Sequence, residues 1–128
     1  MNRRLSILYV DDEPDIREVA VLALELDGSI DVMSAGSGRE ALILLDEMGR
    51  PPDAILLDVM MPEMDGPAVL AEVRARGFTM PVIFITARAQ SYELARFQAA
   101  GAAGVITKPF DPMTLALELR AVLARSGG

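Results

Sequence analysis

Short, almost continuously apolar runs alternate along this chain with longer stretches in which apolar residues recur every three or four positions. The short runs fall at 5–10, 30–33, 54–57, 81–85 and 104–107 and are rich in Ile, Val, Leu and Phe. Runs of this kind are expected of strands covered on both faces in a parallel sheet. Between them the spacing predicts helices. Ile16, Val19, Ala20, Ala23 and Leu26 line one face of a first helix that begins near Pro14 and stops at Gly28, with proline early and glycine just past the end. Ala41, Leu42, Leu45 and Met48 define a second, opened by the Ser37–Glu40 capping-box spacing. A third runs over about 65–77 with Leu70 and Val73 inward, a fourth over about 90–100 closed by Gly101. The fifth, over about 112–125, takes Asp111 as its N-cap and buries Leu115, Leu119 and Val122.

Strand followed by helix thus occurs five times. Helices of this length between strands imply parallel pairing through right-handed crossovers, with helices on both faces. A closed eight-fold barrel needs about twice the chain. The expected fold is an open, doubly wound five-stranded α/β sheet, whose ligand site lies at the carboxyl ends of the strands.

The chain has 128 residues, 52% apolar and 24% charged, the composition of a folded domain. One domain over 1–128 is expected, with a core of about 5–125 and a short loose tail at 126–128. Its net charge of −7 repels polyphosphate backbones, and Lys and Arg nowhere cluster, so direct nucleic-acid binding is not expected. Neither cysteine nor histidine is present, which removes disulfides, thiolate metal sites and the commonest general base. The amino-terminal apolar run is short and leads into acids, and no apolar stretch approaches the roughly 18 residues of a membrane span. A cytoplasmic protein without membrane insertion is the expectation.

The polar residues that follow the strands form a set. Asp11, Asp12 and Glu13 follow the first strand, Asp58 the third, Thr86 and Ala87 the fourth, Lys108 and Pro109 the fifth. Taken singly, each has a plain structural reading: an acidic helix start, a turn aspartate, a strand-ending threonine, a lysine reaching for water. If the first, third, fourth and fifth strands are neighbours, these groups converge. Three converging carboxylates repel one another, which raises a pKa or recruits a cation. Mg²⁺, a hard ion that uses one or two protein carboxylates and keeps several waters, suits such a site. A carboxylate nucleophile, a cation, a lysine, and the Thr86 hydroxyl with the Ala87 N–H are the parts needed to form and hold an acyl phosphate.

The segments ILYVDDEP, ILLDVMMPEMDG, VIFITA and ITKPF resemble the response-regulator receiver domains of two-component signalling, of which the chemotaxis receiver is the simplest type. The resemblance covers about 5–125. It implies a flavodoxin-like (βα)5 fold with strand order 2-1-3-4-5 and a cis peptide before Pro109. It further implies Asp58 as phosphoacceptor, and Mg²⁺ (with Mn²⁺ as alternative ion) on Asp11 or Asp12, Asp58 and the Met60 carbonyl. Thr86 and the Ala87 N–H would contact the phosphoryl group and Lys108 would pair with it. The implied donor is a separate histidine kinase or histidine phosphotransfer protein. The implied output is a protein target met through the fourth helix, fifth strand and fifth helix, by a monomer or a phosphorylation-promoted dimer. The chain is then a phosphorylated switch rather than a turnover enzyme, either standing alone or forming part of a longer regulator or hybrid kinase.

Competing classes fit less well. A related aspartate phosphatase carries a second Asp two residues after its nucleophile, where Met60 stands here. A flavin carrier needs a Ser, Thr and Gly phosphate loop where Asp11-Asp12-Glu13 would repel the phosphate. A pseudo-receiver that binds partners unphosphorylated has no need of the full acidic set with Thr86 and Lys108. One departure from the family pattern bears on switching: Val105 stands where an aromatic residue is usual. A short β-branched side chain cannot make an aromatic excursion, so the expected route of the signal is the loop after the fourth strand and the fourth helix. The resemblance also implies that the positions of Met60 and Arg88 flank the path of a hydrolytic water, and these side chains are expected to slow loss of the phosphoryl group. Among the other methionines, Met33, Met48 and Met80 are expected in the core or at element ends, and Tyr92 and Phe97 as surface or packing residues.

Overall fold

A computed structural model of the protein describes residues 4–125, so the tail expected at 126–128 lies outside the described residues. The elements alternate as β1 (Leu5–Val10), α1 (Pro14–Glu25), β2 (Ile30–Ala35), α2 (Gly38–Glu47), β3 (Ala54–Asp58), α3 (Gly66–Ala75), β4 (Val82–Thr86), α4 (Ser91–Ala99), β5 (Gly104–Thr107) and α5 (Leu115–Arg125). All pairings are parallel, and the sheet order is β2-β1-β3-β4-β5. The doubly wound, flavodoxin-like arrangement is therefore as expected. The Lys108–Pro109 peptide is cis.

Local chemistry starts and stops the helices. Ser37 Oγ accepts the Glu40 amide at 3.0 Å at the start of α2, while the Glu40 carboxylate takes the Gly36 amide. Asp65 Oδ1 does the same for Ala68 at 3.0 Å ahead of α3. Gly28, with φ +84°, provides the left-handed turn that ends the α1 region and that side chains resist. α5 begins later than expected. The Asp111 carboxylate accepts the Met113 amide at 2.9 Å and the Asp111 carbonyl accepts the Thr114 amide, which closes a tight turn over 112–114. The first helical bond is then Glu118 to Thr114 at 2.9 Å.

The alternation of strand side chains divides the core in two. Leu8, Val10, Ile55, Leu57, Val82 and Phe84 face α2, α3 and α4, where Leu42, Leu45, Val69, Val73 and Phe97 cover them. Ile7, Tyr9, Leu56, Ile83, Ile85 and Ile106 face α1 and α5, covered by Ala20, Leu24, Leu115 and Leu119. Phe97 packs edge-on against Phe84, with centroids 5.2 Å apart. Of the expected inward face of α1, Ala20 and Ala23 are buried and Ile16 is half-buried, but Val19 and Leu26 are exposed and Leu24 is buried in their stead. The stripe is rotated because Ala20 and Leu24, four apart, make one continuous ridge, and the larger residues beside it are left at the rim. Met33 is likewise exposed on the edge strand β2, whereas Met80 is buried and Met48 half-buried against the core.

The amino end of α3 presses directly on the end of β3. A Cβ at Gly66 would sit 2.9 Å from Val59 Cα and 3.0 Å from the Asp58 carbonyl oxygen, and the Gly66 amide donates to the Val59 carbonyl at 2.9 Å. Both neighbours are backbone and cannot swing aside. Gly66→Ala is expected to destabilise the protein by about 1–3 kcal/mol, measured by urea unfolding; an unchanged midpoint would show that α3 can move back freely.

Candidate functional site

The carboxyl ends of the strands are held in register beyond the strands themselves. The Asp11 amide donates to Ala35 (3.1 Å), the Val59 amide to Ile85 (3.1 Å) and the Lys108 amide to Thr86 (2.8 Å). Strand alternation gives Asp11 the parity of Tyr9, Asp58 that of Leu56, and Lys108 that of Ile106, all residues facing α1 and α5. Three side chains from three strands are thereby delivered to one place. Asp11 is fully buried and Asp58 is 3% exposed.

Lys108 binds these acids together. Its Nζ lies 3.1 Å from Asp11 Oδ2, 3.4 Å from Asp58 Oδ1 and 3.5 Å from Glu13 Oε1. Asp12, more exposed, offers a carboxylate oxygen that lies with one each from Asp11 and Asp58 inside a 4.8 Å group. An all-oxygen, three-carboxylate set of this size suits a hard divalent cation and not a soft one. Ala87 is exposed and lines, with Lys108, Pro109 and Phe110, an apolar hollow of about 400 Å³ beside this group.

The balance of charge explains the protonation behaviour. Burial raises the Asp58 pKa, the Asp11 charge adds to that, and Lys108 and the Met60 amide oppose it, leaving Asp58 at about 6. Burial alone would lower the Lys108 pKa, but the Asp11 hydrogen bond and the charges of Asp11, Asp58 and Glu13 outweigh it and the net direction is upward. Lysine therefore stays charged in this half-enclosed site, and Asp58 is the acid left underneutralised.

The sequence-derived set is only partly in mutual contact. Asp11, Asp12, Asp58 and Lys108 come together as expected. Thr86 is buried at the end of β4, with its hydroxyl accepting the Arg88 amide at 3.0 Å. Met60 has an exposed side chain, and its amide faces the Asp58 carboxylate. Met61 is buried and Met64 packs against the core. Tyr92 is on the surface and Phe97 in the core.

Glu13, counted with Asp11 and Asp12 in the set that follows β1, pairs with Lys108 as that convergence implies. Two further residues touch the site without having been singled out for it. Tyr9 donates its hydroxyl to Asp11 Oδ2 at 3.0 Å, and Arg17 Nη1 donates to the Asp11 carbonyl at 2.7 Å. Strand parity with Asp11 was the signal for Tyr9; Arg17 carried none, since a helical arginine is ordinarily solvated.

Comparison with known proteins fits this geometry. The response regulator receiver domain model matches residues 7–120, and the chain belongs to that family. The transcriptional regulatory protein CseB of Streptomyces avermitilis is 41% identical over 129 aligned positions, which cover 99% of this chain and 52% of that protein. TrcR of Mycobacterium tuberculosis, also a transcriptional regulatory protein, is 37% identical over 95% of this chain and 46% of its own length. The chain thus spans about half the length of the curated relatives it matches. Among solved structures, the chemotaxis protein CheY4 of Vibrio cholerae superposes with a TM-score of 0.84 at 32% identity, over 93% of this chain and 98% of that one. The chain is a receiver domain of two-component signalling, and CseB and TrcR are described as transcriptional regulatory proteins. Among the described residues no helix is long and apolar enough to cross a membrane.

The raised Asp58 pKa carries a stability signature. The folded value of about 6 lies above the ordinary 3.8, so protonated Asp58 favours the folded state. That contribution is full below pH 4 and is lost as pH rises through 6, by up to about 3 kcal/mol. In chelator-treated protein, the stability of Asp58→Asn relative to wild type should therefore climb between pH 4 and 6.5 in urea titrations. A difference that stays flat across this window would contradict the assignment.

Proposed function

We propose that this chain is a phosphoacceptor switch that receives a phosphoryl group on Asp58 from a phosphohistidine of a separate kinase or phosphotransfer protein. The observation that carries the reading is Lys108 bridging Asp11 and Asp58 with Asp12 beside them. Asp58 Oδ attacks phosphorus, the new O–P bond forms as the donor's P–N bond breaks, and the electron pair leaves on the imidazole nitrogen, which takes a proton from solvent. Mg²⁺ or Mn²⁺, held by Asp11, Asp12, Asp58 and the Met60 carbonyl, would supply charge neutralisation for the phosphoryl oxygens. Lys108 supplies a second fixed cation, and the Ala87 amide and Thr86 hydroxyl supply neutral donors. Self-dephosphorylation breaks the same O–P bond as water attacks phosphorus, returning the Asp58 carboxylate and releasing inorganic phosphate.

Phosphorylation adds charge and strong acceptor oxygens at the end of β3, while at the end of neighbouring β4 the Thr86 hydroxyl already accepts the Arg88 amide. Thr86 would exchange the Arg88 amide for the phosphoryl group, and the β4–α4 loop would follow. Val105, half-buried against the core, does not supply an aromatic swing, so the altered surface is that of α4 with β5 and α5, presented to a protein target in the cytoplasm. The output of the longer relatives, named as transcriptional regulators, is proposed to reach this chain through such protein contacts rather than through direct DNA binding.

The test is labelling with acetyl phosphate and Mg²⁺, followed by intact mass. Wild type should gain one phosphoryl group and Asp58→Ala none; equal labelling of both, or none of wild type, rejects the site. In the labelled protein, Met60→Asn with Arg88→Glu should shorten the lifetime of the phosphoryl group at least several-fold, on the proposal that these two positions impede the in-line water. An unchanged decay rate would remove them from that role.

A further inference from the structure

Tyr9 is one of two tyrosines in a chain without tryptophan, and its environment is unlike that of the other. Tyr92 is 66% exposed, whereas Tyr9 is wholly buried in the apolar layer shared by Ile7, Ala20, Leu24, Leu56 and Leu115. Phenylalanine would satisfy that layer equally well. A buried phenol is costly unless its hydroxyl finds a partner, and the partner is the Asp11 carboxylate, at 3.0 Å.

Asp11 is consequently held from three directions. Its Oδ1 accepts the Glu13 amide at 3.0 Å, and its Oδ2 accepts the Tyr9 hydroxyl and meets Lys108 Nζ at 3.1 Å. Lysine swings on four single bonds; the amide and the phenol do not. The phenol ring is packed, and the Glu13 amide is fixed by the turn that opens α1. These two donors set the plane of the carboxylate and so decide which part of it faces Asp12 and Asp58.

We propose that Tyr9 is a positioning residue for divalent-cation binding, acting through Asp11 to present that carboxylate to the shared space between Asp11, Asp12 and Asp58. The inference rests on the metal-site reading given above. Outer partners that orient a ligand commonly contribute a factor of 10–100 in metal affinity, and a single neutral donor belongs at the lower end.

Calorimetric titration of the whole chain with Mg²⁺ tests it. Tyr9→Phe is expected to bind Mg²⁺ about ten-fold more weakly than wild type, while Tyr92→Phe binds as wild type does. In an Asp11→Asn background, Tyr9→Phe should cause no further loss, whereas a general core defect would cause the same loss in both backgrounds. A change under about two-fold in the wild-type background, or an equal loss in both, overturns the proposal. Should Tyr9→Phe fail to fold, Tyr92→Phe leaves Tyr9 as the sole near-UV chromophore of its kind, and Mg²⁺ must then shift its absorption; no shift overturns the proposal. Wild type that binds no Mg²⁺ overturns the metal site and this inference together, whereas binding indifferent to Tyr9 overturns this inference alone.

Discussion

Two carboxylates buried within reach of one another cannot both be ionised cheaply, and most of the structure around Asp11 and Asp58 follows from that constraint. Lys108 answers it electrostatically. Because its Nζ must reach both acids from β5, while they stand on β1 and β3, the strand ends have to be fixed closely relative to one another. The ladder bonds that continue past the strands, Asp11 to Ala35, Val59 to Ile85 and Lys108 to Thr86, provide that registration. Two apolar layers hold the sheet rigid behind it.

Nearest-neighbour chemistry made much of this legible in advance. β1 and β5 lie at the expected residues because LSILYV runs directly into Asp11 and GVIT into Lys108, charged residues that leave little choice of boundary. Caps at Ser37 and Asp65 are local, so a few residues specify them. The face of α1 was harder. Ala20 and Ala23 are buried as the spacing indicates, but Leu24 joins them while Val19 and Leu26 are exposed. How the helix is turned as it docks on the sheet decides this, a tertiary demand that hydrophobic spacing does not express. The same reason hides Arg17 and the Thr86 hydroxyl bond: each depends on a backbone group brought from elsewhere or turned by a loop.

The site was readable as a set because strand order converts sequence position into place. Asp11, Asp58 and Lys108 are separated by long intervals of chain, yet each follows a strand of matching parity. What the order could not convey was the neutral support. Tyr9 has an ordinary reading as a core aromatic, and its hydroxyl bond to Asp11, like that of the Glu13 main-chain amide, appears once distances are known. Charged members of such a site announce themselves by their cost of burial; neutral donors do not.

The Thr86 hydroxyl, engaged with the Arg88 amide at 3.0 Å, also ties two parts of the molecule mechanically. If the threonine turns elsewhere, that amide loses its acceptor, a loss of about 1 kcal/mol unless the loop rearranges to find another. Strand end and loop therefore behave as one lever with its pivot at the last residue of β4. On the proposed reading, a displacement begun at the sheet's mouth would pass to the start of α4 through main chain, with no bulky side chain to carry it through the core.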